Sequence, residues 1–172
     1  MTKTSLFAPK TLLVIIIIAF SFFYLYEYRN NDPLQIGEES PNFYIETVAG
    51  ERFDANNVQL PKAVIFLGKS SIYSSYYLKI IPELKQLEKQ GLLRIFVFVK
   101  TRQNKTTIIK MQTKKRFKLL EKITYIGNIR ELSKDFGVRS WPHFFLLDKS
   151  NVVIYQSKLP SVDKIKAIVK GD

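Results

Sequence analysis

The sequence of 172 residues contains 27 lysines and arginines against 15 aspartates and glutamates, a formal net charge of +12, and it contains no cysteine. Without a thiol, the chain has no disulfide framework, no dithiol couple of its own and no cysteine-ligated metal centre. Its one histidine, His143, makes an imidazole-rich metal site or a Ser-His triad difficult, so we expect no metal and no cofactor. The apolar fraction of 46% indicates one globular domain rather than a disordered basic tail.

An uncharged apolar segment lies near the N-terminus, where residues 11–26 read TLLVIIIIAFSFFYLY. A helix of that length rises about 24 Å and, with tyrosines in the interface, can cross a bilayer core. A buried core helix is one alternative, but this segment has no polar face. A cleavable signal peptide is another, with Ala19-Phe20-Ser21 as a weak cleavage site. Because cleavage there would leave an exposed apolar end, we favour an uncleaved signal anchor, one transmembrane helix over residues 11–28.

The charges on either side of this segment predict its orientation. Lys3, Lys10 and the α-amino group precede it. The charged residues that follow it are mostly acidic: Glu27, Arg29, Asp32, Glu38 and Glu39. The N-terminus is therefore expected in the cytoplasm. Residues 30–172 would then lie outside the cytoplasm, in the periplasm or the extracellular space, and they carry a net charge of +10. We therefore expect the membrane and another membrane or secreted protein as partners, and no nucleic acid.

The chain divides into a cytoplasmic stub (1–10), the anchor (11–28), a linker (29–35) and a folded domain (36–172). Strands and helices alternate along that domain. Helices are predicted at 75–90, with Gly91 as its stop, at 106–122, at 129–136 and at 162–169, with Ser161 as its N-cap. Strands are predicted at 63–67, 92–99, 123–126, 144–147 and 152–155, after a hairpin formed by 43–48 and 51–53. This order predicts a mixed α/β layer fold.

Three stretches of this domain follow the order of motifs in a known family. They are IGEESPNFYIETVAGERF, an N-terminal hairpin; PELKQL, within the first helix; and FGVRSWPHFFLLDKSNVVIYQSKL, a turn, a strand and a second hairpin. Together they resemble the membrane-anchored, extracytoplasmic thioredoxin-like proteins, the redoxin and thiol–disulfide oxidoreductase group, over residues 36–170. The resemblance implies a thioredoxin-like fold, a central mixed β-sheet flanked by helices, with an N-terminal β-hairpin.

This sequence differs from the family at the catalytic motif. The family places a Cys-x-x-Cys motif at the start of the first helix, where the helix N-terminus lowers the pKa of the first thiol. Counted forward from Phe66, the two positions hold Ser71 and Ser74; counted back from Pro82, they hold Ser74 and Tyr77. A hydroxyl cannot form a disulfide, so dithiol exchange is excluded here, and we expect the serines to cap the helix. The preceding strand also lacks the carboxylate that such thioredoxins usually bury, which suggests a lineage that lost catalysis.

The resemblance also implies a partner-binding surface. Pro142 matches the family's cis-proline, and the residue before it offers its backbone to an extended peptide. That residue is Trp141, the only tryptophan, which either packs into the groove left by the missing motif or anchors a partner. His143 follows directly and is included in the surface, although a polar residue at the start of a strand is the simpler interpretation. Three neighbouring tyrosines either fill the same groove or extend the partner-binding surface: Tyr73, Tyr76 and Tyr77.

A basic run without an acidic residue follows the strand at 92–99. It comprises Lys100, Arg102, Lys105, Lys110, Lys114, Lys115, Arg116 and Lys118. Such runs are usually solvated helix faces, but beside a membrane each basic residue contributes about 1 kcal/mol to binding anionic lipid.

Three functions therefore stand as hypotheses. The leading one is a non-catalytic binding or assembly module around Trp141 and Pro142. The second is an oxidoreductase component that works with a partner's thiols. The third is electrostatic docking to anionic lipid or a polyanion through residues 100–118.

Overall fold

The structure is a computed structural model, and it describes residues 9–29, 32–46, 52–68, 75–99, 126–127 and 132–171. It divides into two compact units, Met1–Asp32 and Pro33–Asp172. Several predicted features lie outside the described residues: the helix at 106–122, the basic run at 100–118, Ser71, Tyr73 and Ser74.

The first unit contains helix α1, which runs over Pro9–Arg29 and includes the predicted segment 11–28. The hydroxyl of Ser21 donates a hydrogen bond to the carbonyl of Ile17 at 2.8 Å, so this polar group is paired within the helix. The large apolar side chains from Leu12 to Tyr26 are exposed. By length and hydropathy together, none of the helices in the described residues qualifies as a membrane span.

The second unit is built on a five-stranded mixed sheet with strand order β5-β4-β3-β6-β7. Strand β3 (Lys62–Leu67) pairs in parallel with β4 (Arg94–Val99), which pairs in parallel with β5 (Ile126–Gly127). On its other side β3 pairs antiparallel with β6 (His143–Leu147), and β6 pairs antiparallel with β7 (Val153–Ser157). The strand order and the mixed directions confirm the predicted α/β class.

The helices of this unit lie between and after the strands. Helix α2 (Ser75–Lys89) connects β3 to β4, α3 (Leu132–Asp135) precedes β6, and α4 (Val162–Lys170) ends the domain. The predicted caps at Gly91 and Ser161 are confirmed. Gly91 follows α2 with a positive φ of 72°, a conformation that favours glycine, and the hydroxyl of Ser161 accepts a hydrogen bond from the first turn of α4.

The predicted N-terminal hairpin is also present. Strands β1 (Tyr44–Glu46) and β2 (Arg52–Asp54) pair antiparallel, with Ile45 opposite Phe53. The ring of Phe43, just before β1, lies with its centroid 5.6 Å from that of Phe96 in β4. The hairpin therefore contributes an aromatic ring to the core of the sheet.

Strand β3 is the most enclosed element, because all six of its residues are buried. Its Phe66 ring lies at the centre of an aromatic cluster, with centroids 5.2 Å from Phe98, 5.3 Å from Phe136 and 6.0 Å from Phe145. The three pairs are stacked, tilted and edge-on respectively, and aromatic pairs of this kind each add about 0.5–1.5 kcal/mol beyond the area they bury. The cluster thus joins β3, β4, β6 and the residue that follows α3.

We expect Phe66→Ala to lower the free energy of unfolding by about 3–5 kcal/mol, because it leaves a cavity among the rings. Urea unfolding followed by circular dichroism measures the loss. Tyr44→Ala is the matched control, because Tyr44 is 71% exposed. That control should change the free energy of unfolding by less than about 0.5 kcal/mol. Equal losses in the two variants would contradict the central role of Phe66.

Candidate functional site

Three segments meet where β3 ends, and the strand register brings them together. Phe66 in β3 pairs with His143, the first residue of β6. Phe144 in turn pairs with Ser157, the last residue of β7. The turn before β6 and the loop after β7 therefore lie side by side next to the C-terminal end of β3. We call Trp141, Pro142 and the loop 158–160 the cis-proline edge.

The peptide bond between Trp141 and Pro142 is cis, which confirms the expectation for Pro142. Trp141 is half-buried, and its ring centroid lies 5.7 Å from that of Phe66 in an edge-on arrangement. The indole therefore packs against the aromatic cluster and also keeps part of its surface accessible. Both roles left open for Trp141 by the sequence, packing and partner contact, are compatible with this position.

Two tyrosines in the first turn of α2 hold the loop after β7. The hydroxyl of Tyr76 donates to the carbonyl of Pro160 at 2.6 Å, and the hydroxyl of Tyr77 donates to the carbonyl of Lys158 at 2.9 Å. Tyr77 is fully buried, and burial, followed by the nearby Tyr76 and Tyr155, raises its pKa well above the usual value. Burial also raises the pKa of Tyr76. Both hydroxyls therefore stay protonated and act as hydrogen-bond donors.

Tyr77 thus has the packing role rather than an exposed one. Counted back from Pro82, Tyr77 is also the residue at the second cysteine position. The first cysteine position in that count is Ser74, and α2 begins directly after it, at Ser75. Tyr76 is half-buried and remains partly accessible at the cis-proline edge. Leu159, in the loop that the two tyrosines hold, is 59% exposed.

His143 lies beneath this edge rather than on it, with 4% of its surface exposed. Its ring stacks on Phe145 with centroids 4.6 Å apart, and its Nε2 lies 3.1 Å from the side-chain oxygen of Gln156. Burial lowers the pKa of His143; the hydrogen bond with Gln156 opposes this effect, and the charge of Lys158 adds to it. The imidazole is therefore neutral near pH 7, and it contacts a partner only if the ring moves.

Sequence reasoning missed two polar side chains at tertiary contacts: Lys62, which is buried, and Gln156, which is half-buried. The amine of Lys62, at the start of β3, lies 3.4 Å and 3.3 Å from the carbonyls of Asp148 and Lys149. Burial lowers its pKa, and the charge of Asp148 partly offsets this effect. Gln156, the partner of His143, was missed as well. No local signal in the sequence indicates either contact, because both join residues distant along the chain.

The tyrosine and histidine side chains near this edge, in the residues described, are buried or already hydrogen-bonded. The chain has no thiol. The hydroxyls of Tyr76 and Tyr77 are engaged with carbonyls, and the imidazole of His143 is buried. Within the described residues, no group of three or more potential ligands among histidine, aspartate and glutamate is placed to hold a metal ion.

No protein-family model matches the sequence, and no curated relative matches it. Solved structures do share the fold. The thioredoxin domain of a thiol–disulfide oxidoreductase from Bacteroides vulgatus matches with a TM-score of 0.61 at 13% identity, covering 80% of this chain and 98% of that one. A thioredoxin-family thiol:disulfide interchange protein from Chlorobium tepidum matches with a TM-score of 0.60 at 18% identity, covering 80% and 97%.

A domain of a possible thiol–disulfide isomerase from Cytophaga hutchinsonii matches with a TM-score of 0.60 at 15% identity, covering 81% of this chain and 93% of that one. The fold of this chain is therefore thioredoxin-like, as the resemblance implied. Identities this low establish the fold and not the activity. Its structural neighbours are named for thiol–disulfide chemistry, whereas this chain has the same fold without a cysteine.

We expect the stability of the protein to fall as the pH drops below about 6.5, the usual pKa of histidine. The folded state lowers the pKa of His143, so the unfolded state binds more protons in this range and is favoured by acid. Urea unfolding at pH 7.5 and pH 5.5 measures the effect. His143→Gln is the control, because it removes the only imidazole and leaves the carboxylates unchanged. The same pH dependence in both proteins would rule out His143 as its source.

Proposed function

We propose that this chain is a membrane-anchored, extracytoplasmic binding module that holds a segment of another membrane or secreted protein without redox chemistry of its own. The observation that carries the proposal is the retention of the cis-proline edge, with Trp141 before the cis bond, in a chain without cysteine. The recognition part of the fold is thus present, and the groups that would exchange disulfides are not.

The packing of the cis-proline edge supports a binding role. Trp141 is held on one side by Phe66, so little side-chain entropy is lost when a partner covers its remaining surface. The hydrogen bonds from Tyr76 and Tyr77 hold the adjacent loop, in which Leu159 is exposed. A preformed aromatic and aliphatic surface of this kind is typical of the few residues that dominate a binding interface.

The burial of Tyr77 supports the non-catalytic role. At the second cysteine position counted back from Pro82, this chain has a bulky ring whose hydroxyl is already bonded to a backbone carbonyl. Replacing Tyr77 by cysteine alone would therefore not restore disulfide exchange, because it would leave a cavity where the ring packs and would remove the hydrogen bond to the carbonyl of Lys158. The second cysteine position counted from Pro82 serves packing here.

We expect Trp141→Ala to weaken partner binding by about 30-fold or more, the loss of roughly 2 kcal/mol typical of a central aromatic contact. A photoreactive amino acid at position 141, with mass spectrometry of the captured protein, identifies the partner in cells, and binding of that partner to the variant is then measured. Tyr44→Ala is the matched control, an exposed aromatic residue in β1 whose loss should leave binding unchanged.

Two results would overturn this proposal. Unchanged partner binding by Trp141→Ala would exclude the cis-proline edge as the interface. Reduction of insulin by the purified protein, above that of a cysteine-free control protein, would favour the alternative of an oxidoreductase that uses a partner's thiols. Because the chain has no cysteine, we expect no such reduction.

The anchor is part of the same proposal and rests on residues 11–26, which carry no charge. Exposed apolar side chains along α1 support it, because such a surface in water is unfavourable unless lipid or protein covers it. Pro33, a few residues after α1, begins the compact second unit.

We expect the intact protein to stay in the membrane pellet after alkaline carbonate extraction. Replacing Ile16 and Ile17 together by arginine should release most of it, since each charge near the centre of a span costs about 2.5–3.5 kcal/mol. Lys3→Ala, outside the apolar segment, should leave the protein in the pellet. Release of the wild-type protein by carbonate would show that residues 11–28 do not anchor it.

A further inference from the structure

A chain of hydrogen bonds runs from His143, beneath the cis-proline edge, to the residues that begin the second unit. Nε2 of His143 lies 3.1 Å from Oε1 of Gln156, and Nε2 of Gln156 donates to Oε1 of Gln35 at 3.3 Å. The backbone N–H of Gln35 donates to the carboxylate of Glu38 at 2.7 Å. We call these four residues the His143 chain, and residues 33–40 the leading segment.

The leading segment is attached to the domain mainly along β7. The N–H of Gly37 donates to the carbonyl of Val153 at 2.8 Å, and the N–H of Val153 donates to the carbonyl of Glu38 at 2.9 Å. The N–H of Leu34 donates to the carbonyl of Phe136 at 3.2 Å. The N–H of Ser40 also donates to the carbonyl of Asn151 at 2.8 Å, and the side chain of Leu34 packs against the core. The contact between Gln35 and Gln156 joins the segment to His143 through side chains.

The direction of the bonds determines which nitrogen of His143 carries the proton. Because the amide nitrogen of Gln156 faces Gln35, its oxygen faces the imidazole and must accept a hydrogen bond from Nε2. The neutral ring therefore has its lone pair on Nδ1. Nδ1 is buried, and no group in the described residues lies within hydrogen-bonding distance of it.

A second proton on this ring has no favourable place. It would turn Nδ1 into a buried donor without a described acceptor. Lys158 is the described ionisable group whose charge acts on His143, and its positive sign opposes the imidazolium further. Glu38 lies at the far end of the His143 chain, two hydrogen bonds beyond Gln156. The ring therefore gains most by moving towards water, and that movement breaks its bond with Gln156.

We propose that protonation of His143 loosens the leading segment from β7, so that acid weakens the attachment between the cis-proline edge and the residues that lead to α1. The proposal concerns the response of the fold to pH and does not depend on the identity of any partner. It gives the only histidine of the chain a role that the binding proposal does not require.

Hydrogen–deuterium exchange of the full-length protein at pH 7.5 and pH 5.2 tests this response, with rates corrected for the intrinsic effect of pH. We expect the amide of Gly37 to lose protection by about tenfold or more at pH 5.2, while amides in β3 stay protected, as in a local opening. The pH stays above 5 because the usual pKa values of carboxylic acids lie near 4, so the comparison spans mainly the titration range of histidine. The isotope-labelled ring of His143 should titrate with the same midpoint in NMR spectra.

Two variants make the result specific. His143→Gln should protect Gly37 equally at both pH values, because it cannot take up the proton. Gln156→Leu should leave Gly37 poorly protected at both, because the link to Gln35 is lost whatever the state of His143. The proposal is overturned if the wild-type amide stays protected at pH 5.2, or if it loses protection to the same extent in His143→Gln.

Discussion

The burial of strand β3 on both faces is the constraint on which the rest of the domain depends. Its backbone is paired on both sides, in parallel with β4 and antiparallel with β6, and all of its side chains are buried. A strand of this kind is stable only when other elements cover both faces of the sheet. In the aromatic cluster, the ring of Phe66 packs against rings from β4, from β6 and from the residue after α3.

The same constraint places the candidate site. Because β6 runs antiparallel to β3, the residues just before β6 must lie beside the C-terminal end of β3. Trp141 and Pro142 are therefore brought to the start of the loop that leads into α2, whatever their own side chains are. The fold places this edge by topology alone, and the chemistry of the edge depends on the few residues that the chain places there.

Tyr76, Tyr77 and Trp141 show what this chain has placed there. Two hydroxyls hold the loop after β7 by bonds to its carbonyls, and the indole rests on the core while part of it stays accessible. The result is a surface that is ordered by contacts within the domain, which would reduce the entropic cost of the binding proposed above. The disulfide-exchanging chemistry for which the structural neighbours are named would need thiols from another molecule.

Much of the fold could be predicted from the sequence, because its signals are local. The apolar run at 63–67, the helical spacing before Gly91 and the N-cap at Ser161 each act within a few residues, and each element lies within about two residues of its predicted position where it is described. The polar contacts were not predictable in the same way. Lys62 bonds to the carbonyl of Asp148, 86 positions away, and Tyr77 to that of Lys158, 81 positions away.

The sequence by itself determined the element order, the excess of positive charge and the absence of any thiol, since composition and local spacing do not depend on how the chain folds. Only the tertiary structure decided which candidate residues are accessible. Tyr77 is buried, Trp141 is half-buried and His143 has a buried nitrogen without a described acceptor, although all three looked alike as candidates for one surface. Their burial depends on which distant strands and loops pack against them, and no stretch of sequence around each residue contains that information.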